Sequence, residues 1–588
     1  MKAYLALGSN LGDRLGNIRQ ALLLLSRRVR LVRTSSIYET PAMYYTDQGD
    51  FYNAVAEVET SLSPQALLRA AQGVEKTLKR RRKFKNSPRT IDVDIIFYGR
   101  EIVAAPGLNV PHPKLAERPF VLAPLCEIAP RLRHPVTGAA ISELLRACPG
   151  AAGGARRLPA DYNETLAYLN ALAPSGTFST APVRSALRAL GRPQDSFSAV
   201  HVAGTNGKGS VCAMLAGALN RAGRRAGLYL SPHINSPRER ISLNGRNIPE
   251  ADFFRLFGAV KSYGFNLSYF EYLTVIAFLW FRQQKVRFAV VETGLGGRLD
   301  ATNVFKRSLA VVTNVSVEHA AALGGTLESI AGHKAGIIKS DCPAVTYAEG
   351  KALAIIKRRA AAMRSPLSLA APDGRFFMEG SCVFYREGAS GRRTPLALKG
   401  SYQAANAALA MKVLDVLRGT GVRIPYAAAA AGLAAAKLEG RFELIKSNGL
   451  EIIFDGAHNP AAMAALFAAL ERAGFARPVT LAALMGDKNA GELIKIIGGG
   501  SRALVFSAVA SPRARRPEQL ARLARAAGCA AHSGNGTAAA FALARGLALK
   551  NGAPLLITGS FYLAAEIKAL LSKKAPPVFP RELAPAAV

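Results

Sequence analysis

The chain has 588 residues, half of them apolar, with 76 lysines and arginines against 40 aspartates and glutamates, a formal charge of +36. At about 100–200 residues per domain this length implies three or four domains, and the apolar share excludes a wholly disordered chain. No run of roughly 18 apolar residues occurs, the opening has no signal-peptide layout, and the six cysteines contain no C-x-x-C, which excludes a spanning helix, a zinc ribbon and a disulfide frame. A cytoplasmic protein with reduced thiols is expected, and the basic excess points to an anionic partner, either nucleic acid or a phosphorylated or carboxylated small molecule.

Residues 3–7 read as a strand and 15–25 as an amphipathic helix. Residues 51–59 alternate like a strand, 64–78 have helical spacing, and 90–98 are β-branched and apolar, a further strand. Within that strand Asp92 and Asp94 stand two apart. Period-two geometry puts both carboxylates on one face, with Val93 and Ile95 on the other. Acids are depleted in strands, so the pair reads as a holder of divalent ions. Lys76 to Arg89 carries eight basic residues and no acid, which fits a solvated helix face or an anion site. Residues 148–162, rich in Gly, Ala and Pro, read as a linker.

A second pattern follows. Residues 198–203 form a strand that runs into a glycine loop and a helix, and 289–292 and 309–314 are buried strands between helices. Such alternation implies a parallel sheet with crossover helices. The alanine run at 427–436 reads as a soluble helix. After Arg441 the pattern restarts with a strand, the loop "FDGAHNP", a helix over 461–473 and strands at 479–484, 503–506 and 555–558. The expected organisation is therefore an α+β domain over 1–147, the linker 148–162, an α/β domain over 163–437, a smaller Rossmann-like α/β domain over 438–572 and a loose tail over 573–588.

The glycine loop "GTNGKGS", Gly204 to Ser210, departs from the usual phosphate-loop pattern because Gly209 separates Lys208 from the hydroxyl. Its position between a strand and a helix aims backbone amides and the helix N-terminus at one anion. Gly204, Gly207 and Gly209 let the backbone approach phosphate, Lys208 neutralises charge and Ser210 reaches an accompanying metal. Thr205 and Asn206 complete the loop.

This loop resembles that of the folylpolyglutamate and dihydrofolate synthases, a branch of the Mur-ligase-like amide-forming enzymes. The resemblance covers residues 160–570 through "YLSPHINSPRERISLNG", "YFEYLT", "ETGLGGRLDATN", "HKAGIIK", "LEGRFE" and "FDGAHNP", in that order. It implies an ATP-dependent ligase that activates a substrate carboxylate as an acyl phosphate, which the amine of glutamate then attacks. It further implies magnesium held by Ser210, Ser231, Glu292 and His319, and a carbamylated lysine at Lys334, where His333 stands in place of the family's usual glutamate. Ser268, Tyr269, Phe270 and Glu271, with Leu299, Asp300 and Ala301, match pteroate-binding segments. Asn406, Arg441, Asp455 and His458 match residues around ATP.

At the front of the chain, "ALGSNLGDR", "YETPA", "DFYNA", "PRTIDVDIIFYG" and "VPHP" resemble hydroxymethyldihydropterin pyrophosphokinase over residues 2–145. The resemblance implies transfer of pyrophosphate from ATP to a pterin alcohol, with two magnesium ions on Asp92 and Asp94. Thr40, Pro41 and Asn53 would contact the pterin, and Phe51 and Phe120 would sandwich it. Glu75, Arg80, Arg82, Arg89 and His112 match ATP-binding positions, so part of the basic block should meet triphosphate.

The expected whole is a bifunctional folate-pathway enzyme. One half makes the pterin pyrophosphate and the other joins glutamate to dihydropteroate, and to folates in some measure, with ATP as co-substrate and Mg2+ as cofactor. No segment is left for the intervening dihydropteroate synthase step. A monomer without nucleic-acid or membrane partners is expected. The alternatives are another Mur-type amide ligase in the second half, or a basic nucleic-acid-binding protein with degenerate enzyme domains.

Overall fold

The computed structural model describes residues 1–572 except 44, 81–83, 85–86, 151–153, 173–177, 371–375, 380–381, 388–389, 487–488 and 512. The expected tail at 573–588 lies outside the described residues. Two compact units emerge: Met1–Tyr168 with Phe254–Asn266, and Leu169–Phe253 with Leu267–Val588.

The first unit is built on an antiparallel sheet. Its strands run in the order Asp92–Tyr98, Lys2–Ser9, Phe51–Glu59, Tyr38–Thr40, Arg156–Arg157, and Arg30–Thr34 also pairs with Phe51–Glu59. Lys2–Ser9 is central, with Gly8 opposite both Asp92 and Asn53, and Ala6 opposite Asp94. Val93 and Ile95 fall on the face covered by the helices Arg14–Leu25 and Pro64–Thr77, where Ile18, Ala21, Leu25, Leu67 and Ala71 are fully buried. Ile96, on the opposite face, packs under Pro119–Ile128 with Val121, Leu122 and Leu125. The alternation in 92–96 thus sends two acids and one isoleucine to one side and two aliphatic residues to the other.

The stretch expected as a linker is not wholly irregular. Arg156 and Arg157 pair with Glu39 and Tyr38 as a short antiparallel strand, and Glu164 accepts from Arg157 at 2.6 Å. Basic residues in a Gly- and Ala-rich setting concealed that strand, because it is held by cross-strand partners and carries no apolar pattern of its own.

The second unit holds an eight-stranded sheet in the order Arg246–Asn247, Ile241–Leu243, Ala226–Tyr229, Phe288–Glu292, Ser198–Ala203, Leu309–Val312, Ala344–Thr346, Leu367–Leu369. From Ala226–Tyr229 onward all neighbours are parallel. The helices Lys208–Arg221, Gln403–Gly419 and Tyr426–Ala435 cover one face. A Cβ on Gly217 would lie 2.7 Å from the Gly432 carbonyl oxygen, so two of these helices meet almost backbone to backbone. The alanine-rich sequence of the third serves that approach. A three-stranded antiparallel sheet, Phe376–Glu379, Cys382–Glu387 and Ser390–Pro395, was not legible beforehand. A further six-stranded sheet runs Glu443–Ser447, Leu450–Phe454, Leu555–Thr558, Val479–Ala482, Ala503–Ser507, Ala531–Gly534, parallel apart from its first pair.

Ser198–Ala203, Phe288–Glu292 and Leu309–Val312 end at the same edge of the large sheet. Loops at the carboxyl ends of parallel strands are where such sheets carry their ligands. No helix among the described residues is long and apolar enough to cross a membrane.

Candidate functional site

In the first unit one cleft gathers Thr40, Pro41, Phe51, Asn53 and Phe120 with Arg89, Asp92 and Asp94. Its floor is the central strand at Gly8, where a Cβ would stand 3.1 Å from Asn53 Oδ1 and 3.7 Å from the Phe51 ring. A bare glycine therefore lets the strand pass beneath both side chains. Asn53 Nδ2 donates to Thr40 Oγ1 at 2.8 Å. The Arg89 guanidinium lies 5.5 Å from the centre of the Phe51 ring and that of Arg118 5.6 Å from Phe120.

Charge in this cleft is arranged around the two aspartates. Asp92 accepts from Arg80 and from Arg89, each at 2.6 Å. Burial pushes its carboxyl up, but the two guanidiniums outweigh that and hold it below the usual range. Among the described residues Asp94 pairs with Arg118 at 3.4 Å, and burial, followed by the charge of Asp92, pushes it up to about 6. Glu75 contacts Arg80, accepts from the Val93 amide at 2.9 Å and is pushed up by burial. His112 is brought down to about 4 by burial and by Arg118, so its ring is neutral at pH 7; its Nδ1 accepts from the Lys114 amide at 3.2 Å. Arg82 lies outside the described residues.

Met43, Tyr45, Gln48 and Arg118 also line the cleft, and none of them was anticipated. Asn10 is a further unanticipated organiser. Its Nδ2 donates to Gln48 Oε1 at 2.8 Å and to the Gly49 carbonyl at 3.2 Å, while its Oδ1 accepts from the Arg89 amide at 2.8 Å.

In the second unit Gly204 to Ser210 curls from the end of Ser198–Ala203 into the helix Lys208–Arg221. Gly207 has φ +83°, and a Cβ there would fall 2.3 Å from Asn406 Oδ1, so both conformation and space require glycine. Lys208 Nζ donates to the carbonyls of Gly204 and Thr205, both at 3.1 Å. Thr205 Oγ1 donates to the Ser316 carbonyl at 3.2 Å, and the Asn206 amide donates to Asn314 Oδ1 at 2.8 Å. Ser210 Oγ accepts from Gln403 Nε2 at 3.2 Å, and Gln403 Oε1 accepts from Asn406 Nδ2 at 2.8 Å. Gln403 is another residue that no local pattern announced.

Glu292 closes its strand behind this loop. Its Oε2 accepts from the Ser231 amide at 2.9 Å, and a Cβ on Gly209 would stand 3.5 Å from the same oxygen. Burial pushes Glu292 up, while Lys208, Arg441 and Arg240 pull the other way. Lys334 is buried, and burial together with Lys208 lowers its ammonium to about 7. His319 caps the short helix Ala320–Leu323 with φ +52°. Asp455 is buried and accepts from the amides of Phe442 at 2.8 Å and Ala457 at 2.9 Å and from the Tyr402 hydroxyl at 3.2 Å. Arg441 lies 4.7 Å from the centre of the Phe561 ring. His458 Nε2 meets Glu318 Oε1 at 2.9 Å and its Nδ1 meets the Gly456 carbonyl at 2.7 Å.

The two segments expected to meet pteroate converge on Gly294. The Phe270 ring lies where a Cβ on Gly294 would sit, at 2.7 Å, and the Leu295 amide donates to Asp300 Oδ2 at 2.7 Å. Asp300 Oδ1 accepts from the Thr302 amide at 3.0 Å and from its hydroxyl at 2.5 Å. Glu271 accepts from the amide and hydroxyl of Ser268 at 2.8 and 2.9 Å as a capping box. Both carboxylates are thus engaged within their own segments. Tyr269 and Ala301 are buried, and Leu299 is exposed.

No group of three or more His, Cys, Asp or Glu side chains suited to a metal ion occurs among the described residues. Magnesium takes one or two carboxylates and fills its octahedron with water and substrate phosphates. Asp94, paired with Arg118, and Glu292, whose Oε2 accepts from the Ser231 amide, offer carboxylate oxygens of the kind such an ion takes.

Family models match along the chain. A 7,8-dihydro-6-hydroxymethylpterin-pyrophosphokinase model matches residues 4–130, a Mur ligase middle domain 202–414, and a Mur ligase glutamate ligase domain 440–561. The folylpolyglutamate synthase of Lacticaseibacillus casei is 33% identical over 435 residues, 70% of this chain and 99% of that protein. A probable bifunctional folylpolyglutamate synthase/dihydropteroate synthase of Haloferax volcanii is 33% identical over 421 residues, 69% of this chain; the match spans half the length of that relative. The structure of Escherichia coli FolC in complex with DHPP and ADP superposes with a TM-score of 0.62 at 27% identity, covering 70% of this chain and 98% of that one. The chain belongs to the folylpolyglutamate synthase and dihydrofolate synthase family of Mur-type ligases, with a hydroxymethylpterin-pyrophosphokinase domain at its N-terminus.

Proposed function

We propose that the chain is a bifunctional folate-pathway enzyme with an ATP site in each unit. The first transfers pyrophosphate to 6-hydroxymethyl-7,8-dihydropterin, and the second ligates L-glutamate to dihydropteroate and to folates. The observation that carries the reading is the presence of two distinct triphosphate-compatible constellations. One is Asp92 and Asp94 under Arg80 and Arg89; the other is Gly204 to Ser210 backed by Glu292.

In the first unit Phe51 and Phe120 bracket a flat heterocycle, and Asn53 and Thr40 address its polar edge. Asp92 and Asp94 would hold magnesium, which supplies neutralisation of the triphosphate when bound. Arg80 and Arg89 already neutralise Asp92, which makes them ready cations for phosphate oxygens as well. This supports a small anion, not nucleic acid, as the partner of that part of the basic block.

In the second unit the amides at the start of Lys208–Arg221 and the Lys208 ammonium gather the phosphates. Ser210, Ser231, Glu292 and His319 would hold magnesium. Lys334, buried and lowered to about 7, has the neutral amine that carbamylation by CO2 requires. Arg441, Asp455 and Asn406 surround the nucleotide, with His458 in the same loop. Phe270 offers a ring face to the pterin, and the segment Leu299–Asp300–Ala301 shapes that pocket. The glutamate amine then displaces phosphate from the acyl phosphate, a reaction served by exclusion of water.

The test is product mass after incubation with ATP, Mg2+, glutamate and either dihydropteroate or tetrahydrofolate, alongside AMP release with the pterin alcohol. Glutamate addition to a cell-wall precursor in place of a pteroyl acid would favour a different Mur-type ligase.

A further inference from the structure

Two cations and one carboxylate meet beside the pterin cleft, and one of the cations comes from far along the chain. Arg14 is 2% exposed. Its Nε donates to the Ser262 carbonyl at 2.8 Å, Nη1 to the Asp50 carbonyl at 2.7 Å, and Nη2 to the Lys261 carbonyl at 2.9 Å and to Glu39 Oε1 at 3.2 Å. The guanidinium lies 3.8 Å from the centre of the Tyr52 ring, whose hydroxyl donates to the Lys261 carbonyl at 2.8 Å. Lys261 Nζ donates to the other oxygen of Glu39 at 2.6 Å. Gly264, at φ +73°, would put a Cβ 3.2 Å from the same guanidinium.

The physical logic is that of a helix end. The helix Glu250–Lys261 leaves its last carbonyls without intrahelical donors and with partial negative charge. Arg14 and Tyr52 supply the donors, and Lys261 returns a positive charge to Glu39. Burial and the charge of Glu39 push Asp50 up, and Arg14 and Lys261 pull it down. Arg14, Lys261 and Glu39 therefore form one ion-paired group, with Asp50 in its field. Phe257 adds an apolar contact, its ring 5.4 Å from that of Tyr168.

These contacts fall on the residues adjoining the expected pterin contacts. Glu39 directly precedes Thr40 and Pro41, and Asp50 directly precedes Phe51. Across the strand pair, Glu39 faces Tyr52 and Thr40 faces Phe51. Whatever fixes Glu39 and Asp50 fixes the edge of the cleft.

We propose that Lys261, although it lies within the ligase's stretch of sequence, is a positioning residue for pyrophosphoryl transfer: with Arg14 it clamps the strand ends that carry the pterin contacts. The proposal rests on the pyrophosphokinase reading above. Loss of the ammonium leaves Glu39, itself largely buried, short of a partner and frees the edge of the cleft to shift.

The test uses the full-length chain. Lys261→Met keeps the aliphatic stem and should raise the pterin KM roughly tenfold, with the ATP KM and kcat within about twofold of the starting protein. Glutamate ligation should be unchanged, and Lys261→Arg should restore the pterin KM. Glu39→Gln should give the same rise, and the double variant should be no worse than either single one, because both remove one shared contact. An unmoved pterin KM in both single variants overturns the proposal. So does an equal fall of both activities in step with the melting temperature, the mark of a general structural prop. If the unmutated chain transfers no pyrophosphate, the pyrophosphokinase reading falls and takes this role with it.

Discussion

Asn459 Nδ2 donates to Asn206 Oδ1 at 3.0 Å, which ties the loop opening the last α/β sheet to the glycine loop that follows Ser198–Ala203. The same amide group donates to Glu318 Oε1 at 3.2 Å, and its oxygen caps the helix Pro460–Arg472 through the Ala462 amide at 2.9 Å. Asn459→Ala should therefore do two separable things. Loss of the cap costs about 1 kcal/mol of stability, read as a lower melting temperature. Loss of the tie to Asn206 should raise the ATP KM of ligation several-fold. Asn459→Ser restores a capping oxygen on a shorter side chain, so it should recover the melting temperature and leave the KM raised. Recovery of both together would mean that only the cap matters.

Lys208→Ala addresses the independence of the two sites. Lys208 is the cation of the glycine loop, and its present partners are two loop carbonyls, which require no ammonium for folding. Glutamate ligation should fall by at least about 10²–10³-fold, the range for removing one preorganised group that stabilises transition-state charge. Pyrophosphoryl transfer should be unchanged, because Asp92 and Asp94 are served by Arg80, Arg89 and Arg118. Loss of both activities in the one variant would contradict two self-sufficient sites.

What the sequence disclosed, and what it withheld, follows from the range of the interactions. The Asp92 and Asp94 pair was legible because strand periodicity alone puts both on one face, and the first sheet bears this out. The strand-to-helix loop was legible because glycines, a lysine and the junction itself sit within seven residues. Gln403, Arg118 and Lys261 were not, since each acquires its meaning from a partner distant in sequence: Ser210, Asp94 and Glu39. Resemblance named Asp300 and Glu271 among the pteroate contacts, but only the folded chain reveals that their carboxylates bond to Leu295, Thr302 and Ser268. The strand Arg156–Arg157 was hidden for the same reason as Lys261, because cross-strand pairing, not local pattern, makes it a strand.

Lys334 gives a prediction about CO2. Burial and the nearby Lys208 lower its ammonium to about 7, so the neutral amine becomes the major form as pH rises through that value. Carbamylation would replace a cation by an anion beside Lys208. Ligation by protein prepared in CO2-depleted buffer should be low, and bicarbonate should restore it, more completely at pH 8 than at pH 6.5. Lys334→Met should be inactive in ligation and insensitive to bicarbonate. Full ligation activity in CO2-depleted buffer would remove the carbamate from the mechanism.

Asp94 should reveal the opposite of the usual carboxylate contribution to stability. An aspartate held by cations has a lowered carboxyl and stabilises the fold above its ordinary range. Asp94 is instead pushed up to about 6, by burial first and by Asp92 next. The folded protein therefore binds its proton more tightly than the unfolded chain does, and stability falls as pH rises from the ordinary aspartate value, about 4, to about 6. Above that range the full cost of the charge is present. Asp94→Asn removes the charge while keeping the shape, so it should raise the melting temperature at pH 7.5 in magnesium-free buffer and leave it nearly unchanged at pH 3.5. Pyrophosphoryl transfer in this variant should fall by at least about 10²-fold, since charge stabilisation at the triphosphate would be lost. In the unmutated chain at limiting magnesium, the same activity should rise with pH through about 6 as Asp94 ionises. A melting temperature that drops at pH 7.5 on removal of the charge would show that Asp94 is a structural anion, and would take the magnesium reading of this strand down with it.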